Sequence, residues 1–173
     1  MVRRWTPEGL HTLFGKERIL NLGVGGDRTE NVLWRLSDLP LGQISPKTAV
    51  IFVGTNNLSR KSDGPADIVS GVEAVVKKVR SAWPNVAISV MPILPRGPDF
   101  SFREKDRVEI NERLALNSSY RFVHVDEAAL TCTQPMPDIA SGCPNYNEDR
   151  LHLLPPGYSI VNQALAESLN ARR

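Results

Sequence analysis

Asp149-Arg150-Leu151-His152 is the segment best equipped for chemistry, and it sits just before Pro155-Pro156-Gly157-Tyr158. An imidazole can take a proton and return it near neutral pH only if its tautomer and orientation are fixed. A carboxylate on its other ring nitrogen fixes both. An aspartate three residues upstream on a constrained loop can reach that nitrogen. Two other segments carry groups suited to a developing negative charge. Asn21-Leu22-Gly23-Val24-Gly25-Gly26-Asp27 offers a glycine backbone N–H at a helix entrance, and Gly54-Thr55-Asn56-Asn57 offers a neutral amide donor. Each has a plainer reading on its own. Glycines serve tight turns at positive φ, and Asn is a common turn former. The glycine turn is no dinucleotide fingerprint, because Arg28 stands where the third glycine belongs, and it lacks the Gly-Lys-Ser/Thr of a phosphate loop.

The elements that must position these groups alternate between apolar runs and amphipathic stretches, the mark of an α/β domain with a parallel sheet. Arg18 to Leu22 reads as a strand, followed by the glycines and a helix near Thr29 to Leu39. Thr48 to Val53 is a β-branched buried strand that runs into the Gly54–Asn57 loop. Asp67 to Trp83 is a helix with Ile68, Val72, Val75, Val76 and Val79 on one face, stopped by Pro84-Asn85. Val86 to Met91 is a strand, Glu104 to Asn117 a helix, and Arg121 to Val125 a short final strand. A long loop, Ala128 to Glu148, precedes a last helix from Pro155-Pro156 to about Asn170. In open parallel sheets ligands sit outside the carboxyl ends of the strands. That rule selects Gly23–Asp27, Gly54–Asn57, Pro92–Pro98 and the loop of Asp149 and His152.

The 173 residues suit one domain with a full hydrophobic core. A net charge of +2 with scattered basic residues gives no nucleic-acid stripe, and no apolar run is long enough to span a membrane. Cys132 and Cys143 read first as two unrelated thiols, the alternative being a local disulfide. With His124 and His152 they lack the paired spacing of zinc ligands. Trp34 reads as a core residue on a helix face, His124 as a hydrogen-bonded core histidine, and His11 as a surface or packing residue. Arg96, in a Gly/Pro loop, is a weaker candidate for a cleft lining.

Together the three motifs are far more specific than any one. Through NLGVGGDRTENVLWRL (21–36), VIFVGTNN (50–57) and DRLHLLPPGY (149–158), the chain resembles the SGNH, or GDSL-type, hydrolase family. It is most similar to the branch of platelet-activating-factor acetylhydrolase catalytic subunits and bacterial esterases. The resemblance covers essentially the whole chain and implies a single domain, 1–173, with a three-layer flavodoxin-like α/β fold. Its parallel sheet would have the strand order 2-1-3-4-5. It also implies catalytic roles for Asp149 and His152, and an oxyanion hole of the Gly26 backbone and the Asn56 side chain. The implied activity is hydrolysis of a short acyl ester, with acetyl the first choice, of a small alcohol, carbohydrate or lipid, with no metal or organic cofactor. A homodimer is compatible with it.

The departure is at the start. The family's nucleophile lies in a Gly-Asp-Ser segment followed after about four residues by Trp, so Met1-Val2-Arg3-Arg4-Trp5 places that Ser immediately before Met1. The first strand is then missing, and this chain alone is expected to be inactive, with its start misassigned or truncated. A lost leader together with a Cys132–Cys143 bond would indicate a secreted or periplasmic protein; otherwise the cytoplasm is expected. No serine substitute is evident, and neither cysteine is well placed, although Cys143 lies near the Asp–His pair in sequence and stays open as a nucleophile. Ser37, Ser45, Ser59, Ser62, Ser81 and Ser89 lie in helices, loops or strand interiors, and Ser101, Ser118, Ser119, Ser141, Ser159 and Ser168 lack a sharp glycine turn. A non-catalytic ligand-binding remnant of the same fold is the alternative. A nucleotide or phosphate binder using Gly23–Asp27 is weaker, because it leaves the Asp–His pair unexplained.

Overall fold

A computed structural model describes residues 11, 15, 19–133 and 143–171. They fall into two compact units, one of Gly26–Leu94 and Arg103–Val123, the other of Met1–Gly25, Pro95–Phe102 and His124–Arg173.

The first of these units holds the sheet. Strands β1 (Thr48–Ile51), β2 (Ala87–Val90) and β3 (Arg121–Phe122) run parallel in the order β1-β2-β3. Register pairs Thr48 with Ala87 and Ile51 with Val90 across one ladder, and Ser89 with Arg121 across the other. In β2, Ile88, Ser89 and Val90 are all buried, as expected of a strand covered on both faces. Helix α1 (Thr29–Asp38) precedes β1, and the one-turn α2 (Thr55–Leu58) follows it. Helix α3 (Pro65–Ala82) starts with Pro at its first position and buries Ile68, Val72, Val75, Val76 and Val79, the expected apolar stripe.

Helix α4 (Glu104–Ala115) buries Ile110 and Leu114, and also Arg107. The Arg107 guanidinium makes two 2.6 Å bonds to Glu104 and one of 3.0 Å to Ile93 O. Asn111 takes the Ile93 N–H and donates to its carbonyl, both at 2.9 Å. The chain leaving β2 is therefore held by side chains where the ladder has ended.

Several expectations need correction. The described part of Arg18–Leu22, residues 19–22, forms no strand, and Leu20 is 61% exposed. In the order 2-1-3-4-5 this segment pairs only with the strand expected ahead of it, and no described residue supplies that ladder. The Gly54–Asn57 segment is not a loop, because α2 begins at Thr55. Gly54 has φ +119°, a backbone conformation that favours glycine, and a Cβ there would lie 2.9 Å from Ile93 Cδ1, which would have to shift. Trp34 is not core, being 70% exposed. The buried face of α1 carries Thr29 and Leu36, and Trp34 lies two positions from Leu36, on the opposite side of a 3.6-residue turn. His124 is exposed as well, since β3 stops at Phe122 and the buried position after it is Val123.

The second unit contains α5 (Glu127–Leu130) and α6 (Pro155–Asn170). Asp126 caps α5 through a 3.0 Å bond from Ala129 N–H. The expected loop Ala128–Glu148 thus begins inside a helix, and its residues 134–142 lie outside the described ones. Cys132 and Cys143 are bonded to each other, with Cα atoms 5.6 Å apart, so the plainer reading of two separate thiols is replaced. Helix α6 buries Tyr158, Val161 and Leu165. Among the described residues no helix is long and apolar enough to cross a membrane.

Candidate active site

The Asp149–His152 segment is a turn closed at its base by an antiparallel bridge between Tyr146 and Leu153. Within it Asn147 N–H donates to His152 O at 2.7 Å, and Arg150 N–H donates to Asn147 O at 2.9 Å. Arg150 takes φ +48°, which turns the chain back on itself. The base is pinned in turn. Leu154 N–H donates to Asn145 O, and the buried Asn145 amide donates to Ala129 O and Leu130 O, each at 3.0 Å.

Inside this frame the Asp149 carboxylate has two separate tasks. Its Oδ1 accepts the N–H groups of Leu151 (3.0 Å) and His152 (2.9 Å), and its Oδ2 lies 2.5 Å from His152 Nδ1. Partial burial pushes the Asp149 carboxyl up, but the backbone and ring donors of His152, with the Leu151 N–H, outweigh it and bring it down to about 2. The carboxylate is therefore ionised at neutral pH. A neutral imidazole beside it keeps its proton on Nδ1, leaving Nε2 as the acceptor. The two side chains are 43% and 36% exposed, so the pair is open to a reacting partner.

The loop before α4 packs on this turn. Gly97 N–H donates to Arg150 O at 2.9 Å, Tyr146 OH donates to Pro95 O at 2.7 Å, and the Phe100 and Tyr146 rings lie 4.9 Å apart. Arg96 is buried with its guanidinium 4.4 Å over the Phe102 ring, so its charge is used in packing rather than as an open lining. The described serines of this unit are engaged or distant. Ser101 Oγ donates to Pro98 O, and Ser159 Oγ donates to Pro155 O. Ser168 Oγ is buried and makes no hydrogen bond, but it lies thirteen positions along α6 from Pro155, about 20 Å of helix.

Gly26 and Asn56 belong to the other unit, where the structure brings their segments together. Gly26 sits in a turn at φ +85°. Asn56 is half-buried, and its Nδ2 donates to Asp27 O at 2.8 Å. Asp27 is itself paired with Arg35 at 2.6 Å. Sequence reasoning missed Asn57, which is buried and bonds Thr29, Glu30 and Asp63. A second Asn beside the first was the available signal. Among the described residues no group of three or more His, Cys, Asp or Glu side chains is arranged to hold a metal.

Residues 2–160 match the GDSL-like Lipase/Acylhydrolase family. The chain belongs to this family. Among curated members it is 31% identical over 166 residues to platelet-activating factor acetylhydrolase IB subunit alpha2 of Bos taurus, covering 90% of this chain and 66% of that one. It is 37% identical over 158 residues to subunit alpha1 of Rattus norvegicus, covering 88% and 64%. The chain thus spans slightly under two thirds of the length of these relatives. A GDSL-like lipase from Bacteroides thetaiotaomicron superimposes with a TM-score of 0.69 at 16% identity, covering 98% of this chain and 83% of that one. An acetylxylan esterase from Geobacillus stearothermophilus gives 0.66 at 18%, covering 94% and 77%. These likenesses show the GDSL α/β fold with its parallel sheet, as the motifs implied.

Proposed function

We propose that this GDSL-family chain carries the acid–base and oxyanion-binding groups of an acyl-ester hydrolase acting on a short acyl group, with acetyl favoured. The observation that carries the reading is the Asp149 carboxylate, locked by two backbone N–H groups and set 2.5 Å from His152 Nδ1. In this reading His152 Nε2 takes the proton of a serine hydroxyl as it attacks the ester carbonyl, and later gives it to the departing alcohol. Asp149 holds the ring and stabilises the imidazolium. The Gly26 N–H and the second N–H of Asn56 Nδ2 receive the oxyanion. The names of the relatives, acetylhydrolase and acetylxylan esterase, support an acetylated lipid or carbohydrate as substrate. No step calls on a metal or organic cofactor.

The test is p-nitrophenyl acetate hydrolysis by the chain alone and by the chain with a Gly-Asp-Ser segment joined ahead of Met1. His152→Ala should lower kcat by about 10³-fold or more. Turnover that is indifferent to His152→Ala overturns the mechanism. A second reading is a ligand-binding domain without turnover. The observation favouring it is that Ser101 and Ser159 both donate to nearby carbonyls instead of to the histidine. A serine of the chain labelled by a fluorophosphonate probe would exclude it.

A further inference from the structure

The two adjacent asparagines of α2 bond different parts of the segment that leads into α1. Asn56 donates to Asp27 O at 2.8 Å. Asn57 is 4% exposed, and its Oδ1 accepts the Thr29 N–H at 3.0 Å. Its Nδ2 lies 3.3 Å from Thr29 Oγ1, 3.2 Å from Glu30 Oε2 and 3.1 Å from Asp63 Oδ2. Helix α1 needs this acceptor. Its N-cap is Arg28, whose side chain makes no capping bond, and the Thr29 N–H belongs to the first turn, where no carbonyl of the helix can reach it. Asn57 supplies the cap from 28 residues away.

We infer that Asn57 is a positioning residue for the oxyanion donors, an inference that rests on the function proposed above. An Asn amide has two N–H groups, and Asn56 commits one to Asp27 O. The direction of the other is then set by where Asp27 O lies. Asp27 is two residues from Thr29, which Asn57 holds. Fixing the start of α1 thereby fixes both the Gly26–Asp27 peptides and the free N–H of Asn56.

The surroundings of Asn57 demand a neutral group. Glu30 pairs with Arg28 at 2.6 Å and with Arg60 at 3.2 Å, Asp63 pairs with Arg60 at 3.4 Å, and Asp27 pairs with Arg35. These cations are thus already matched to carboxylates. A carboxylate at position 57 would lose both donors and could accept from Thr29 only by facing Glu30 and Asp63 as a third negative charge, so repulsion draws it off the Thr29 N–H. Like charges at that range favour protonation of one of them.

The experiment is amide hydrogen exchange and ¹H–¹⁵N NMR on the full chain with Asn57→Ser and Asn57→Asp. In Asn57→Ser the Thr29 amide should exchange about tenfold faster or more at every pH, and the two Asn56 side-chain N–H signals should shift. In Asn57→Asp the same changes should appear at neutral pH. They should reverse as pH falls through the titration of the introduced carboxyl, because its protonated form accepts from Thr29 and donates to a neighbour. Unchanged Thr29 exchange and Asn56 signals in both variants would overturn the inference. So would a loss of protection spread equally over β2 and α3, the mark of a general fold residue. Asn56→Ala separates the two ideas. It should leave Thr29 protected, and if it also leaves the ester turnover of the Gly-Asp-Ser-extended chain intact the oxyanion reading fails, while the Thr29 result still decides the role of Asn57.

Discussion

Asp149 Oδ2 lies 2.5 Å from His152 Nδ1, while Oδ1 of the same carboxylate accepts the N–H groups of Leu151 and His152. One side chain therefore builds the turn and orients the ring. Moving the carboxylate would move the backbone of the histidine it serves, so the two cannot drift apart by a rotamer change alone. The Tyr146–Leu153 bridge and the buried Asn145 amide extend that rigidity below the turn.

Asp149→Asn should separate the two tasks. The amide oxygen can still accept the two N–H groups, so the turn survives. The NH₂ then faces Nδ1 and forces the ring proton to Nε2, the wrong nitrogen for a base. In a catalytically active form kcat should fall by about 10⁴-fold with little change in stability. ¹⁵N shifts of the His152 ring check the tautomer, and an unchanged tautomer would contradict the orientation argued here.

The turn should open only in acid. The Asp149 carboxyl is depressed to about 2 when folded, against about 3.9 when unfolded. A depressed carboxyl stabilises the folded turn above the unfolded value and loses that contribution as pH falls through the folded one. The Leu151 and His152 amide signals should therefore hold steady above about pH 4 and shift between about 4 and 2. A transition in those signals at higher pH would mean that the carboxylate is not held as described.

What was legible in the sequence was local. The Asp149/His152 pair is three residues apart, so spacing alone was enough to bring the two side chains together. Pro155-Pro156 and the valine stripe of α3 gave helix starts and faces nearly to the residue, because caps and periodicity are properties of a few turns. Non-local bonds were not legible. Residues 19–22 have the composition of a strand, but a strand exists only with a ladder partner. Asn57 caps a helix from the far side of β1, and no local pattern announces that. Trp34 was misread because an aromatic ring on a helix says nothing of which face is covered. Cys132 and Cys143 were ambiguous because an eleven-residue separation permits a bond without requiring one.

Reduction of the Cys132–Cys143 bond should loosen the acid–base turn. Asn145, which supports the turn, donates to Ala129 O, to Leu130 O and also to Cys132 Sγ at 3.4 Å. The bond closes a loop of eleven-residue separation, for which the chain-entropy model gives about 2–3 kcal/mol. Treatment with a dithiol, or replacement of both cysteines by serine, should lower stability by about that amount. Amide exchange should quicken first at Asn145–Leu154. Equal protection of that segment in the reduced and oxidised forms would show that the disulfide does not brace it.

Tyr120 should make the sheet-bearing unit sensitive to alkali. Its ring is buried, its hydroxyl donates to Leu114 O at 2.8 Å, and burial first, then the charge of Glu73, push the phenol up to about 12. A phenol raised above its unfolded value of about 10 contributes stability below pH 10 and loses it as pH rises through about 12. Chemical denaturation should show the unit weakening across that window. Tyr120→Phe should cost about 1 kcal/mol at neutral pH, through loss of the bond to the Leu114 carbonyl, and should flatten the alkaline limb. If the limb persists unchanged in Tyr120→Phe, another group is responsible and the ionisation assigned to Tyr120 is wrong.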